Sequence, residues 1–452
     1  MYKAYVVKVE HLRPHSNADR LRIATFFGCD TCVGLDVVIG EIGIYFPVDG
    51  QLSEEFCREH DLVRRKDENG NPAGGYLDPD KRNIKAVKLR GEKSDGLFMP
   101  ISCLAYTGVN LDDINIGDTI DVVNGHEICK KYIPRSNRRS YSGGAVNKTR
   151  KHKVPVAPLF AEHADTEQLA YNLGAFKCGD EVEITLKMHG TSQRTGYLPT
   201  LKGYKKTFWE KITRKEGTPI YDWGGVSGTR RVVLEDYDGG FYGSNAFREQ
   251  HSKVFDGKLM KGETVYYEVV GFTDTGAPIM ASCNNKKLND KEFIKQYGEE
   301  TVFSYGCGEI ASDDMPQSDI YVYRMTMTNE DGFIVEYTPD FMRYRCEQMG
   351  VKTVPVLWKG VIPENPGSAD DPTITPGEWI RNVAERYYDG PDPIGKTHVR
   401  EGVVVRILNR PKFAAYKHKN WSFKVLEGIV KEIAEAPDME EASGLEEEEV
   451  IE

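Results

Sequence analysis

The sequence predicts a two-domain α+β protein, with an all-β barrel ahead of a larger domain built on antiparallel strands. Three observations predict it. The chain has 452 residues, and one hydrophobic core rarely grows past about 250–300, so two domains are the default. Residues 1 to about 125 break into short apolar runs separated by Gly and Pro, with no long helical period. From about residue 159 the pattern changes to longer alternating runs mixed with helical spacing, the mark of an α+β domain.

Taken in order, residues 4–6, 21–27, 33–39 and 42–46 alternate or cluster apolar side chains and read as strands. Two more, 87–89 and 97–99, flank the turn-rich loop Arg90-Gly91-Glu92-Lys93-Ser94-Asp95-Gly96. Many short strands of this kind argue for a small barrel over 1–128. Residues 129–158 then read as a basic flexible linker. They contain Arg138-Arg139-Ser140-Tyr141-Ser142-Gly143-Gly144 and close on Pro155 and Pro158. The larger domain, 159–431, begins with mixed pattern. Val182, Ile184 and Leu186 alternate with polar residues, so 181–186 is a strand that delivers Lys187 at its end. Residues 264–270, 320–326 and 402–408 are further strands. Thr375-Pro376-Gly377-Glu378 is a helix start, with a Thr cap, Pro at the first position and Glu closing a capping box. Ile380, Val383, Ala384 and Tyr387 follow at helical spacing, and Gly390 is the expected stop. Residues 432–452 form an acidic tail, and no internal repeat is present.

Charge is unevenly spread. The net charge is −11, yet ten acids and no base follow Lys431, so the rest of the chain is close to neutral. Lys130 to Lys153 holds nine bases and no acid, a run that attracts phosphate locally although the total is acidic. The acidic tail reads as a solvated segment, and the basic run reads either as one or as a contact for nucleic acid. Hydrophobic residues make up 39% and charged residues 29%, ordinary for a globular protein. No stretch reaches the ~20 apolar residues of a membrane span, and the N-terminus lacks signal-peptide features. Nine scattered cysteines, an odd number, fit reduced thiols. A cytoplasmic protein is expected, or one of the host cytoplasm if the source is viral. Cys29 and Cys32 form a lone CxxC without a second pair. They read as two thiols near a strand end, with zinc the alternative.

The chemistry concentrates at Lys187-Met188-His189-Gly190-Thr191. A protonated lysine cannot attack phosphorus, and a nucleophilic one needs burial or nearby cations. Placement directly after a buried strand supplies burial, and Gly190 lets a phosphate or ribose approach the backbone.

Lys187-Met188-His189-Gly190 resembles the first motif of the covalent nucleotidyltransferases, in the His-containing form of the RNA ligases. Four later segments match the family in order: Tyr267-Glu268-Val269-Val270-Gly271, Tyr321-Val322-Tyr323, Arg400-Glu401-Gly402-Val403-Val404-Val405 and Lys417-His418-Lys419-Asn420. Ser227-Gly228-Thr229-Arg230 is similar to the family's motif Ia, although about twenty-five residues around 202–223 look inserted. Each segment alone has a plain explanation: a strand carboxylate, a core aromatic, a solvated lysine face. Their order and strand placement are what those explanations miss.

The resemblance implies an antiparallel nucleotidyltransferase (ATP-grasp-like ligase) domain in which Lys187 takes AMP from ATP. It implies that Glu268 binds the ribose hydroxyls and Tyr323, in preference to Tyr321, stacks on adenine. Glu401 would coordinate Mg²⁺ (or Mn²⁺). Lys417 and Lys419 would hold the α-phosphate, and Arg230 would contact phosphate or the acceptor. Leu186, His189 and Gly190 complete the expected nucleotide site. Many RNA ligases carry Glu where Leu186 stands, so ATP over GTP rests on the resemblance.

His15-Ser16-Asn17-Ala18-Asp19-Arg20-Leu21 with Leu89-Arg90-Gly91 and Ser94-Asp95-Gly96 looks like the OB-fold domains that bind tRNA in some synthetases and their accessory proteins. This implies that 1–128 is an OB barrel. Only 33 residues follow Lys419, too few for the C-terminal OB domain of DNA ligases and capping enzymes. The order therefore resembles the RNA ligases with an N-terminal OB module. The implied function is ATP-dependent joining of a 3′-hydroxyl RNA end to a 5′-phosphate in RNA repair. RNA ends, nicked RNA-containing duplexes among them, are the implied partners. The alternatives are a non-catalytic OB-containing RNA-binding protein and an RNA-capping guanylyltransferase.

Overall fold

The computed structural model describes residues 2–133, 154–164, 166–209, 217–235, 237, 245–367 and 371–432. The core of the basic linker and the acidic tail lie outside the described residues. Contacts divide the chain into two units, Met1–Asn137 with Lys424–Pro437 and Arg138–Phe423 with Asp438–Glu452.

The first unit is mostly β. A four-stranded antiparallel sheet orders Leu97–Pro100, Ile42–Phe46, Ala4–Lys8 and Thr119–Ile120. A three-stranded meander orders Leu12–Pro14, Leu21–Phe26 and Cys29–Gly34. Its second hairpin turns at Phe27-Gly28, both at positive φ (53° and 80°), the two-residue turn whose twist suits antiparallel strands. Among the described residues the paired strands do not close into a ring. The core gathers Val6, Ile44, Phe46, Leu52, Phe56 and Leu104. Lys424 forms an ion pair with Asp95 at 2.5 Å.

One expectation in this unit is corrected. The strand expected at 33–39 is Cys29–Gly34. Leu35, Val38 and Ile39 are exposed, so their apolar character marks a surface turn. Cys29 and Cys32 lie three residues apart on that strand. Alternation puts them on opposite faces, which disfavours shared zinc, and none of the nine cysteines forms a disulfide.

The ends of the expected linker are ordered. Cys129–Lys131 pairs with Gly50–Leu52, and the carbonyls of Pro155 and Val156 accept from Tyr221 Oη and Leu201 N–H.

The second unit is two antiparallel sheets with helices. We label its main strands β1 (Glu181–Lys187), β2 (Thr191–Lys205), β3 (Thr218–Gly228), β4 (Glu263–Gly271), β5 (Ser318–Thr328), β6 (Val356–Val361), β7 (Gly402–Ile407) and β8 (Ala414–Lys419). One sheet runs β8-β7-β1-β6, with Glu167–Gln168 added parallel to β8. The other runs β3-β2-β4-β5, extended by Val233–Leu234 on one edge and Ile334–Glu336 on the other. Lys352–Thr353 also pairs with β5, in parallel.

Alternation along β1 explains the packing. Val182 and Ile184 join Val403, Val405, Ile407 and the helix residues Ile380, Val383 and Ala384 in one cluster. The opposite face carries Glu183, held by Arg343 of the helix Pro339–Met349, and then Lys187. The expected capping box at Thr375 and Glu378 is present. The helix ends at Glu385, before the expected stop at Gly390, because Tyr387 and Tyr388 pack as partly buried residues on that cluster beyond the helix. No described helix is long and apolar enough to cross a membrane.

Candidate active site

Lys187 closes β1, and its cross-strand neighbour on β7 is Gly402. Gly402 is also opposite Lys419 on β8. Directly opposed residues share a sheet face, so the two lysines flank a residue without a side chain. Gly402 has φ +149°, and a Cβ there would stand 2.1 Å from the His418 carbonyl oxygen. Backbone geometry thus demands glycine between the two cations.

Glu401, the residue before it, is 2% exposed. Its Oε1 lies 2.7 Å from Lys187 Nζ and 3.6 Å from Lys419 Nζ. His189 Nδ1 is 3.7 Å from Oε2. A buried carboxylate is costly unless paired, and here three basic groups converge on it. Lys417 stands two residues before Lys419 on β8, opposite Val404, on the same face by alternation.

The second sheet faces this charge cluster with a row of different chemistry. Ser192 on β2 is opposite Glu268 on β4, which is opposite Tyr321 on β5. The β4–β5 register shifts at Tyr266/Tyr267, leaving Tyr323 as the extra residue of a bulge. Bulges re-aim side chains beside functional sites. Tyr323 Oη lies 2.9 Å from Ser192 Oγ, and its ring meets His163 edge-on at 5.0 Å. Tyr321 is packed in the apolar cluster beneath, 5% exposed. The two tyrosines are therefore separated, Tyr323 bonded to Ser192 and Tyr321 packed in the apolar cluster. Gly190 brings the chain against β4: a Cβ there would be 2.4 Å from the Val269 oxygen and 2.8 Å from Glu268 Cγ.

Supporting contacts fix these positions. The His189 amide donates to Tyr305 Oη at 2.7 Å, and its ring lies edge-on between Phe303 and Phe423 at 4.6 and 4.8 Å. Burial first, then the nearby carboxylates of Glu401, Asp392 and Glu268, holds the Tyr305 phenol well above its usual range, so it stays neutral. Buried Arg248 donates to the Ser192 carbonyl at 3.1 Å and to Thr191 Oγ1 at 2.5 Å. His163 is held well below its ordinary pKa, by burial and then by Arg324, Arg230, Arg194 and Lys187.

Leu186, expected in the nucleotide site, has a side chain that is 2% exposed and packs with Met188, Val270, Phe303 and Phe423, so only its backbone is left to meet a nucleotide. The alternation that buries Val182 and Ile184 carries Leu186 inward too. His163, Ser192, Arg248 and Tyr305 were not found from the sequence. Only Ser192 carries a signal, as a polar residue five positions beyond Lys187 at the start of a strand.

The donor set fits a divalent metal that arrives with phosphates. Among the described residues no three His, Cys, Asp or Glu groups cluster to hold an ion. Mg²⁺ commonly uses one or two carboxylates and completes its shell with water and substrate phosphates. Glu401 is such a carboxylate, with phosphate-attracting lysines on either side.

No protein-family model matches the sequence, and no curated protein matches it. Among solved structures the chain is similar to those of an RNA ligase from Naegleria gruberi. A mutant of that ligase with AMP and Mn matches at TM-score 0.54 and 15% identity, over 93% of this chain and 97% of that one. The same ligase with PPi matches at TM-score 0.53 and 15% identity, covering 92% and 96%. A mutant with ATP and Mn matches at TM-score 0.53 and 16% identity, covering 93% and 98%. Across nearly its whole length this chain therefore shares the fold of that RNA ligase.

Proposed function

We propose that the chain is an ATP-dependent RNA ligase that joins a 3′-hydroxyl RNA end to a 5′-phosphate in RNA repair. The observation that carries this reading is the row Lys187–Gly402–Lys419 meeting on buried Glu401. The fold shared with a ligase solved with AMP, ATP, PPi and Mn supports it.

Lys187 Nζ attacks the α-phosphorus of ATP. A P–N bond forms, the P–O bond to pyrophosphate breaks, and lysyl-AMP remains. The nearest acceptor for the proton leaving Nζ is Glu401 Oε1 at 2.7 Å, within transfer reach. Lys417 and Lys419 hold the α-phosphate oxygens and offset the charge that builds there. Glu268 and Ser192 take the ribose, and Tyr323 takes the adenine face. Arg230 contacts phosphate at the rim. Mg²⁺ or Mn²⁺ held by Glu401 would neutralise phosphate charge and polarise the reacting oxygens. AMP then passes to the RNA 5′-phosphate, and the 3′-hydroxyl displaces it as the phosphodiester forms. The first unit, read as an OB module, would bind the RNA. The expected setting is the cytoplasm, or that of a host.

The test is covalent labelling. Incubation with α-labelled ATP and Mg²⁺ should leave label on the denatured chain and none on Lys187→Ala. Label from GTP alone would favour a capping guanylyltransferase. Absence of label from either nucleotide, in a preparation shown by mass to be unadenylylated, overturns the enzyme.

A further inference from the structure

The strands β2 and β3 continue well past the sheet they belong to. β4 accompanies β2 only over Thr191–Gly196. Beyond that point β2 and β3 run on together, from Tyr197 opposite Gly225 to Lys205 opposite Thr218. At ~3.3 Å per residue this ribbon extends roughly 30 Å from the sheet. It is the segment that looks inserted in the sequence, and the ligase chemistry leaves it without a role.

Its composition is that of a polyanion surface. Over the described ribbon residues three lysines, Lys202, Lys205 and Lys206, face one acid, Asp222, in a chain whose net charge is −11. All three lysines are exposed. Aromatic rings interleave with them. Tyr197 and Trp223 are 6.1 Å apart, and Lys261 Nζ lies 5.2 Å over the Trp223 ring. Where β2 ends, Phe208 and Trp209 are 73% and 72% exposed, their rings 6.2 Å apart and edge-on. Rings this large and this exposed offer flat apolar faces to a ligand. Exposed aromatics that accept any base, set among lysines that track phosphates, are the elements of single-strand recognition.

We infer that this ribbon docks single-stranded RNA flanking the join, with Phe208 and Trp209 stacking on bases and Lys202, Lys205 and Lys206 on phosphates. The inference rests on the ligase reading, because both strands root in that site. β2 begins four residues after Lys187, and β3 ends two residues before Arg230. An anionic membrane would also attract lysines beside aromatic rings. RNA is favoured by that shared root and by lysines spaced along the ribbon.

The experiment uses the full chain, a labelled oligouridylate of about 15 nucleotides and self-adenylylation as a separate readout. Phe208→Ala with Trp209→Ala should weaken RNA binding about 10-fold or more and leave ATP labelling unchanged. Phe208→Tyr with Trp209→Phe keeps ring faces and should restore binding. Lys205→Glu with Lys206→Glu should weaken binding and flatten its salt dependence. RNA affinity within about two-fold of the parent in the double-alanine chain, with labelling intact, overturns the inference. So does loss of binding to phosphatidylserine vesicles with RNA binding unchanged. If the parent chain fails to label, the ligase reading falls, while the RNA measurement still decides whether the ribbon binds.

Discussion

The two sheets of the second unit present opposite chemistry to one site. The β8-β7-β1-β6 sheet brings charge: Lys187, Glu401, Lys417 and Lys419 all sit at the ends of its central strands. The β3-β2-β4-β5 sheet brings Ser192, Glu268 and Tyr323, a hydroxyl, a carboxylate and a ring. Such a division suits a nucleotide, whose phosphates need cations and whose nucleoside needs hydrogen bonds and a flat face. Under the proposed function, reaction and recognition would be carried by different sheets. Substitutions on the first should then lower the rate of labelling, and those on the second should raise the ATP concentration it requires.

The largest effect is expected at Lys187. Lys187→Ala should abolish labelling while melting close to the parent, since its side chain contributes an ion pair and no packing to the core. Glu401→Gln comes next. It keeps the shape and removes the charge that both lysines share, so adenylylation should fall on the order of 10²–10³-fold, as for other groups that stabilise reacting charge. Single-turnover labelling at saturating ATP checks this, and a rate near the parent's would break the assignment of charge to the first sheet.

On the second sheet the expected effect is smaller and of a different kind. Tyr323→Ala should raise the ATP concentration for half-maximal labelling about 10-fold, with a maximal rate close to the parent's. Tyr323→Phe keeps the ring, loses the contact to Ser192 Oγ, and should lie between them. A fall in maximal rate without a change in half-saturation would contradict the division.

The charged half of the site was more legible in the sequence than the recognition half. A lysine closing a strand, a carboxylate before a glycine and a Lys-x-Lys pair restrict residue type at strand ends, so their order along the chain is informative. Arg248 and Tyr305 act through tertiary placement, from helix and loop positions with no distinguishing pattern. Tyr305, for example, meets the His189 amide from 116 residues away. Leu186 shows the reverse case: alternation with Val182 and Ile184 already predicts it buried, and the family comparison drew it into the site. In the first unit, residues 33–39 carried strand-like apolar content, but exposure of Val38 and Ile39 is a tertiary property that local composition lacks.

The smallest expected effect on activity, and the one that separates the sheets by stability, concerns His251. It lies on the helix Ala246–Lys253, 6% exposed, with Nε2 2.8 Å from Ser318 Oγ on β5. Burial pushes its pKa down to about 4, partly opposed by Asp319. An unfolded histidine titrates near 6.5. Between these values the unfolded chain binds the extra proton, so folding stability is fully present above about 6.5 and is lost as pH falls toward 4. The loss amounts to about 3 kcal/mol over the full window. His251→Gln retains an amide for Ser318 and has no proton to gain, so its melting temperature should fall less steeply than the parent's between neutral pH and about 4.5. His163 titrates in the same direction, so some slope should remain. Because Arg248 of the same helix holds Thr191 and Ser192, acid should weaken ATP saturation in the parent more than in the variant. Equal pH slopes in the two chains would remove His251 as the cause.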